Sequence, residues 1–175
     1  MPPSNASVYR CGVVLVGQAS TQDLEDCASI AVEALVAAGH QVSRERWVSN
    51  DLSDIRYSLR ELVDGSAFDV VLGIGGTGIE ADDVAPEALA PLVSKPMPGF
   101  GELFRRLAFH EFGIAALQSR AQAAVCCSTL VYLVPSDPAA VKLALRHIIV
   151  PQLGSVSSPA LLRSIQPALL PSAAE

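Results

Sequence analysis

Phe68-Asp-Val-Val-Leu-Gly-Ile-Gly-Gly-Thr-Gly78, continued by Ile79-Glu-Ala-Asp-Asp-Val-Ala-Pro-Glu-Ala-Leu89, is the stretch whose reading decides the fold. An apolar run of strand length, Phe68 to Ile74, opens into Gly75, Gly76, Thr77 and Gly78, and an acidic segment then enters a helix. Small residues in such a bend let main-chain N–H groups crowd around an anionic ligand without Cβ interference. The same residues satisfy G-x-G-x-x-G at Gly73, Gly75 and Gly78. That fingerprint belongs in the first strand–helix turn, with an acid closing the next strand about 20 residues later. Here the loop follows the third predicted strand, and Pro96-Met-Pro-Gly-Phe-Gly101 occupies the place of the strand end. The dinucleotide reading is therefore set aside.

Working outward, Val8 to Val16 reads as a buried strand. Leu24, Cys27, Ala31, Ala34, Leu35 and Ala38 recur at three and four, which predicts a helix over 22–38 with Gly39 as a left-handed C-cap. His40 to Val48 is a second strand, and Leu52, Ile55, Leu59, Leu62 and Val63 face one side of a second helix that stops at Gly65. Strand, helix, strand, helix, strand with short connections argues for a parallel sheet covered by helices on both sides. Ligands of such sheets lie beyond the carboxyl ends of the strands, where Gly75 to Gly78 falls. Further on, Pro86 is expected at N1 of a helix with Ala85 as its N-cap, and Ser94 to Pro98 as a break. A helix follows over 100–112, then short strands at 114–117 and 125–134, and a last helix over 139–150. Residues 1–154 are assigned to one domain, after a frayed lead-in at 1–7, and 155–175 to a Ser/Pro-rich tail with scattered leucines.

At 175 residues, 50% hydrophobic and 17% charged, the chain suits one well-buried domain. A net charge of −6 without a basic cluster argues against nucleic acid and anionic membrane as partners. No apolar run is long enough for a membrane span, and the first ten residues lack the pattern of a signal peptide. Cys11, Cys27, Cys126 and Cys127 lie in apolar surroundings without C-x-x-C spacing, so they are expected as core thiols of a reduced, cytoplasmic protein rather than as zinc ligands. In the vicinal pair, one cysteine should point inward and the other outward.

Taken together, Gly75-Gly-Thr-Gly78, Asp83-Val-Ala-Pro-Glu-Ala88, Pro98-Gly-Phe-Gly-Glu-Leu-Phe-Arg105, Ser119-Arg120 and Val134-Pro-Ser-Asp-Pro138 resemble the molybdenum cofactor biosynthesis domain family. The bacterial MoaB and MogA proteins and the gephyrin G domain belong to that family, and the resemblance runs from Val8 to Leu153. It implies a three-layer α/β/α sandwich with a mostly parallel sheet, assembled as a homotrimer or homohexamer. The implied ligand is molybdopterin, adenylylated with ATP and Mg2+ in active members. Gly75, Gly76, Thr77 and Gly78 would donate to phosphate, Asp83 would be the essential acid and metal ligand, and Ser119 and Arg120 would lean on the anionic side of the pterin. Glu102 and Arg105 would stand at the rim of the cleft, unless they simply pair along their helix.

The departures from the family pattern are as specific as the matches. Ile74, Asp82 and Ala85 replace a threonine, an arginine and a threonine of the family's T-G-G-T-G-x-x-x-R-D-V-T-P. Asn50 falls on the first acid of a P-D-D or P-D-E element, with Asp51 displaced by one residue, so the catalytic set is Asp83 with Asn50 and Asp51. Gly17-Gln18 stands for an S-D, and Pro135-Ser-Asp-Pro138 for a P-G-S-P turn. Two readings follow, a molybdopterin adenylyltransferase or a non-catalytic binding or scaffold paralogue of the same fold.

Overall fold

The computed structural model describes residues 8–17, 21–65 and 67–154. The lead-in, Gln18 and the tail at 155–175 lie outside the described residues. The chain alternates β1 (Arg10–Val16), α1 (Gln22–Ala37), β2 (Gln41–Val48), α2 (Leu52–Asp64) and β3 (Val70–Ile74). It continues through α3 (Ala85–Leu89), β4 (Lys95–Pro96), α4 (Pro98–Phe112), β5 (Gln122–Cys126), β6 (Thr129–Val134), α5 (Pro138–Ala144) and α6 (Val150–Leu153). Among the described residues the strands form one sheet in the order β2-β1-β3-β6-β5-β4. The first four in that order run parallel, whereas β5 lies antiparallel to β6 and β4 antiparallel to β5.

The strands alternate between two cores, as a sheet covered on both faces requires. Val13, Leu15, Leu72 and Ile74 pack toward α1, α4 and α5, while Val14, Val16 and Val71 pack toward α2 and α3. On α2, Ile55, Leu59 and Leu62 are fully buried, and truncating any one to alanine would cost about 2–5 kcal/mol. Asp51 caps α2, its Oδ1 accepting from Ser53 N–H at 2.8 Å and Asp54 N–H at 3.1 Å. Gly39 closes α1 at φ +89°, donating to Val36 while His40 N–H reaches Leu35 O at 3.0 Å, the paired bonds of a Schellman ending.

Several expectations need correction. Ile114 to Leu117 is not a strand: Gly113, at φ +64°, ends α4 and the chain coils on as a 3-10 helix over Gly113–Gln118. A short apolar run carries too little periodicity to tell the two apart. The run 125–134 is a hairpin, turned at Cys127 and Ser128 between β5 and β6. Ser94 to Pro98 contains the short edge strand β4, whose pairing with β5 no local signal announces. The helix after the glycine loop starts one residue earlier, with Val84 rather than Ala85 at its N-cap. The last helix runs from Pro138 to Leu153 through a π-helical turn at Leu145–Ile149.

Candidate functional site

The glycine loop leaves β3 at the carboxyl edge of the parallel strands. Gly75 N–H continues the ladder to Val134 O at 2.9 Å, and Ala85 N–H binds Gly76 O at 3.0 Å. A Cβ on Gly75 would meet Val16 O at 2.3 Å, and Gly75 and Gly76 sit at φ +105° and +66°. Glycine is thus demanded here by close approach to β1 and to α3. Gly75, Gly76 and Thr77 are buried and Gly78 is half-buried; of the four, Thr77 and Gly78 border a cavity.

Those two residues border a cavity of about 360 Å3 that also involves Phe104, Phe112, Ser119 and Asp137. Thr77 is 1% exposed, and its Oγ1 is buried without a hydrogen-bond partner. A buried hydroxyl left unpaired costs about 1–3 kcal/mol, so this atom asks for a ligand. Asp137 caps α5, its Oδ1 accepting from Ala140 N–H at 2.7 Å. Ser119 Oγ accepts from Ala121 N–H at 3.3 Å.

Asp83 is half-buried and closes the loop on itself: its Oδ2 accepts from Glu80 N–H at 2.9 Å and stands 2.3 Å from where a Gly78 Cβ would be. Arg120 fastens the same segment. Its Nε donates to Gly78 O at 2.6 Å, one terminal nitrogen donates to Asp83 O, and the other pairs with the Glu87 carboxylate. Its main-chain N–H adds a bond to Thr77 O at 2.8 Å. The hydrogen bond from Arg120 holds Glu87 below the usual carboxylate range.

The remaining expected residues lie around this centre. Asn50 donates from Nδ2 to Asp82 Oδ2 at 3.2 Å, joining the end of β2 to the acidic segment, while Asp51 is turned to the α2 cap. Arg105 does not pair with Glu102; it donates to Ala121 O at 3.0 Å and Ser119 O at 3.4 Å and does not border the cavity. Gly101 allows that approach, since a Cβ there would meet Ala121 O at 2.5 Å. Glu102 is exposed and does not border the cavity. Sequence reasoning missed Phe104, Phe112 and Glu87; the spacing of Phe104, Ala108 and Phe112 by four could have marked a shared helix face.

Cys126 is buried and Cys127 exposed, as expected of the vicinal pair. Among the described residues no helix is long and apolar enough to cross a membrane.

A mostly parallel α/β sheet with a glycine loop, an acid and an arginine gathered at the carboxyl edge of its parallel strands defines the class, and the chain belongs to the molybdenum cofactor biosynthesis family. Residues 12–155 match the family described as "Probable molybdopterin binding domain". The chain is 38% identical over 148 residues to molybdenum cofactor biosynthesis protein B of Halalkalibacterium halodurans, covering 84% of this chain and 87% of that one. It is 37% identical over 150 residues to the protein of the same name from Bacillus subtilis, covering 85% and 88%. A crystal structure of molybdenum cofactor biosynthesis protein B superposes with a TM-score of 0.84 at 30% identity, covering 93% of this chain and 99% of that one. A MogA structure at 21% identity, with a TM-score of 0.73, shares the fold.

Proposed function

We propose that this chain binds molybdopterin in the cavity beside Thr77 and Gly78, and that Asp83 serves adenylyl transfer to the pterin phosphate. One observation carries the reading: the buried, unpartnered Thr77 hydroxyl at a cavity bordered by the end of the glycine loop. The molybdenum cofactor biosynthesis relatives support the same assignment. Asp83, oriented by Glu80 N–H, fits the single carboxylate through which Mg2+ is commonly held beside substrate phosphates and waters. When bound, Mg2+ would neutralise phosphate charge while the pterin phosphate attacks the α-phosphorus of ATP and the α–β anhydride bond breaks to release pyrophosphate. The chain's own residues would hold the reactants: Thr77, Gly78 and Ser119 border the ligand, and Arg120 keeps Gly78 and Asp83 in place.

A second reading, binding without transfer, draws on a specific contact. Where the family pattern has an acid and an arginine, Asn50 and Asp82 here bond to each other. That arrangement puts a negative charge beside Asp83 and takes one from the end of β2. Assembly as a homotrimer or homohexamer is supported by the apolar residues that project from α4 and the following 3-10 helix. Phe109, Ile114 and Leu117 are 53%, 71% and 72% exposed. A cytoplasmic location fits the unpaired thiols.

The test is incubation of purified protein with molybdopterin, ATP and Mg2+, followed by chromatography of the pterin. Adenylylated pterin that disappears in Asp83→Asn, with folding intact, supports the enzyme. Bound but unmodified pterin supports the second reading, and a gain of turnover in Asn50→Asp would mark chemistry lost by that substitution. Absence of molybdopterin binding refutes both.

A further inference from the structure

Another hollow lies between α1 and the edge strand β2, and it shares no residue with the cavity beside Thr77. Its volume is about 380 Å3, and it is bordered by Glu25, Ala28, Ser29, Val32 and Glu33 of α1 and by Trp47 of β2. Glu25, Ser29 and Glu33 recur at intervals of four, so they form a stripe along α1 with each residue about one turn from the next. Ala28 and Val32 flank that stripe, and Trp47, half-buried against the core, borders the same groove from the strand.

The acceptors of the stripe are open to a ligand. Neither the Glu25 nor the Glu33 side chain takes part in a hydrogen bond or an ion pair among the described residues. Ser29 Oγ donates to Glu25 O at 3.0 Å, which leaves the lone pairs of that oxygen able to accept. Besides these two acids α1 carries Asp23 and Asp26, and it has no lysine or arginine, so nothing on the helix neutralises the groove. On β2, Arg46 is spent on Ser58 and Glu61 of α2.

Such a field draws cations, and Trp47 narrows their class. An indole face attracts an ammonium group through its ring quadrupole and also covers methylene groups. A hydrated metal ion gains nothing from Ala28, Val32 and Trp47, and among the described residues no group of three or more His, Cys, Asp or Glu is gathered to hold one. Glu25 and Glu33 stand about 12 Å apart along the helix axis, which asks for two positive charges joined by a spacer. A methylene chain with an ammonium at each end and one between them meets every part of the groove. Its ends reach Glu25 and Glu33, its centre reaches Ser29 Oγ and the Trp47 face, and its methylenes lie on Ala28 and Val32. The volume falls in the range of small-molecule sites, whereas a stable protein partner needs a broader surface than one groove.

We infer that the groove between α1 and β2 binds a linear aliphatic polyamine, held at its ends by Glu25 and Glu33 and covered by Trp47. The site stands apart from the molybdopterin reading and does not depend on it.

Trp47 is the one tryptophan of the chain, so its emission reports on this groove. Titration of the full chain with spermidine at about 0.15 M salt, where attraction between exposed charges is screened beyond about 8 Å, should give a saturable change in that emission. Glu25→Gln and Glu33→Gln should each weaken binding about fivefold, the loss of one exposed ion pair. Asp26→Asn removes the same charge from the same helix but from a residue that bonds Gln22 outside the groove, and it should leave affinity within about twofold of wild type. n-Butylamine, with one ammonium, should bind about tenfold more weakly than spermidine. Calorimetry should find Trp47→Leu weakened about fivefold. Absence of a saturable change, equal losses in Asp26→Asn and Glu25→Gln, or displacement of spermidine by millimolar Mg2+ would overturn the inference. Tighter binding of an oligolysine peptide than of spermidine, through the same two glutamates, would put a basic protein segment in the polyamine's place and overturn it too.

Discussion

Arg120→Ala isolates the loop clamp. In wild type the guanidinium holds Gly78 O, Asp83 O and Glu87, while the main-chain bond to Thr77 O survives any substitution. Hydrogen bonds to a charged group are worth about 1.5–3 kcal/mol when buried. The Arg120 side chain is 35% exposed and its Glu87 partner 50%, so the ion pair itself counts for about 1 kcal/mol or less. The two carbonyl bonds, partly solvated, are worth about 1–1.5 kcal/mol each by the same reasoning. The expected loss is about 3 kcal/mol, or a fall of roughly 6–12 °C in melting temperature for a chain of this size. Arg120→Lys, whose compact ammonium does not reproduce the guanidinium fork, should lose about half of that. Glu87→Gln should lose about 1 kcal/mol or less. Urea unfolding of the three variants at one protein concentration measures the series. A clamp built on the two carbonyl bonds is refuted if Arg120→Ala unfolds within about 0.5 kcal/mol of wild type, or if Glu87→Gln costs as much as Arg120→Ala.

Other expectations follow from isolated features. His40 is buried against Tyr9, with Nδ1 accepting Tyr9 N–H at 3.4 Å and Nε2 unpartnered, and desolvation pushes its pKa down. Its folded pKa lies below the unfolded value, so stability is full above about pH 6.5 and declines as pH falls through the lowered folded value. Denaturant titrations between pH 7.5 and 5 should show this slope and find it reduced in His40→Gln. Burial pushes the thiols of Cys11, Cys27 and Cys126 up to about 12, whereas Cys127 is exposed on the hairpin, so an aromatic disulfide reagent should label one thiol rapidly in the native protein and all four after unfolding. Cys127 also sits at φ +52°, where a Cβ costs about 1–2 kcal/mol; Cys127→Gly should raise the urea midpoint by relieving it, and an unchanged or lower midpoint would contradict that.

Much of this protein was legible in its residues. Helical spacing in α1 and α2, the glycines that end them, and the apolar run into Gly75 require no tertiary partner to be read, because a local period and a local backbone constraint are written in adjacent positions. The motif positions likewise marked Thr77, Gly78 and Ser119, which the structure brings to one cavity. What local order could not reveal is the partner of each polar side chain. Arg120 reads as a cation offered to a ligand until folding brings Gly78, Asp83 and Glu87 within its reach. Asp51 reads as a displaced acid until the start of α2 claims it, and Asn50 as a lost one until Asp82 arrives across the chain. Composition and spacing determined the layers and the edge at which a ligand would sit. Only the packed chain decided which charges are spent inside the protein and which hollow is left apolar, since hydrogen-bond partners and cavities are set by residues distant in sequence.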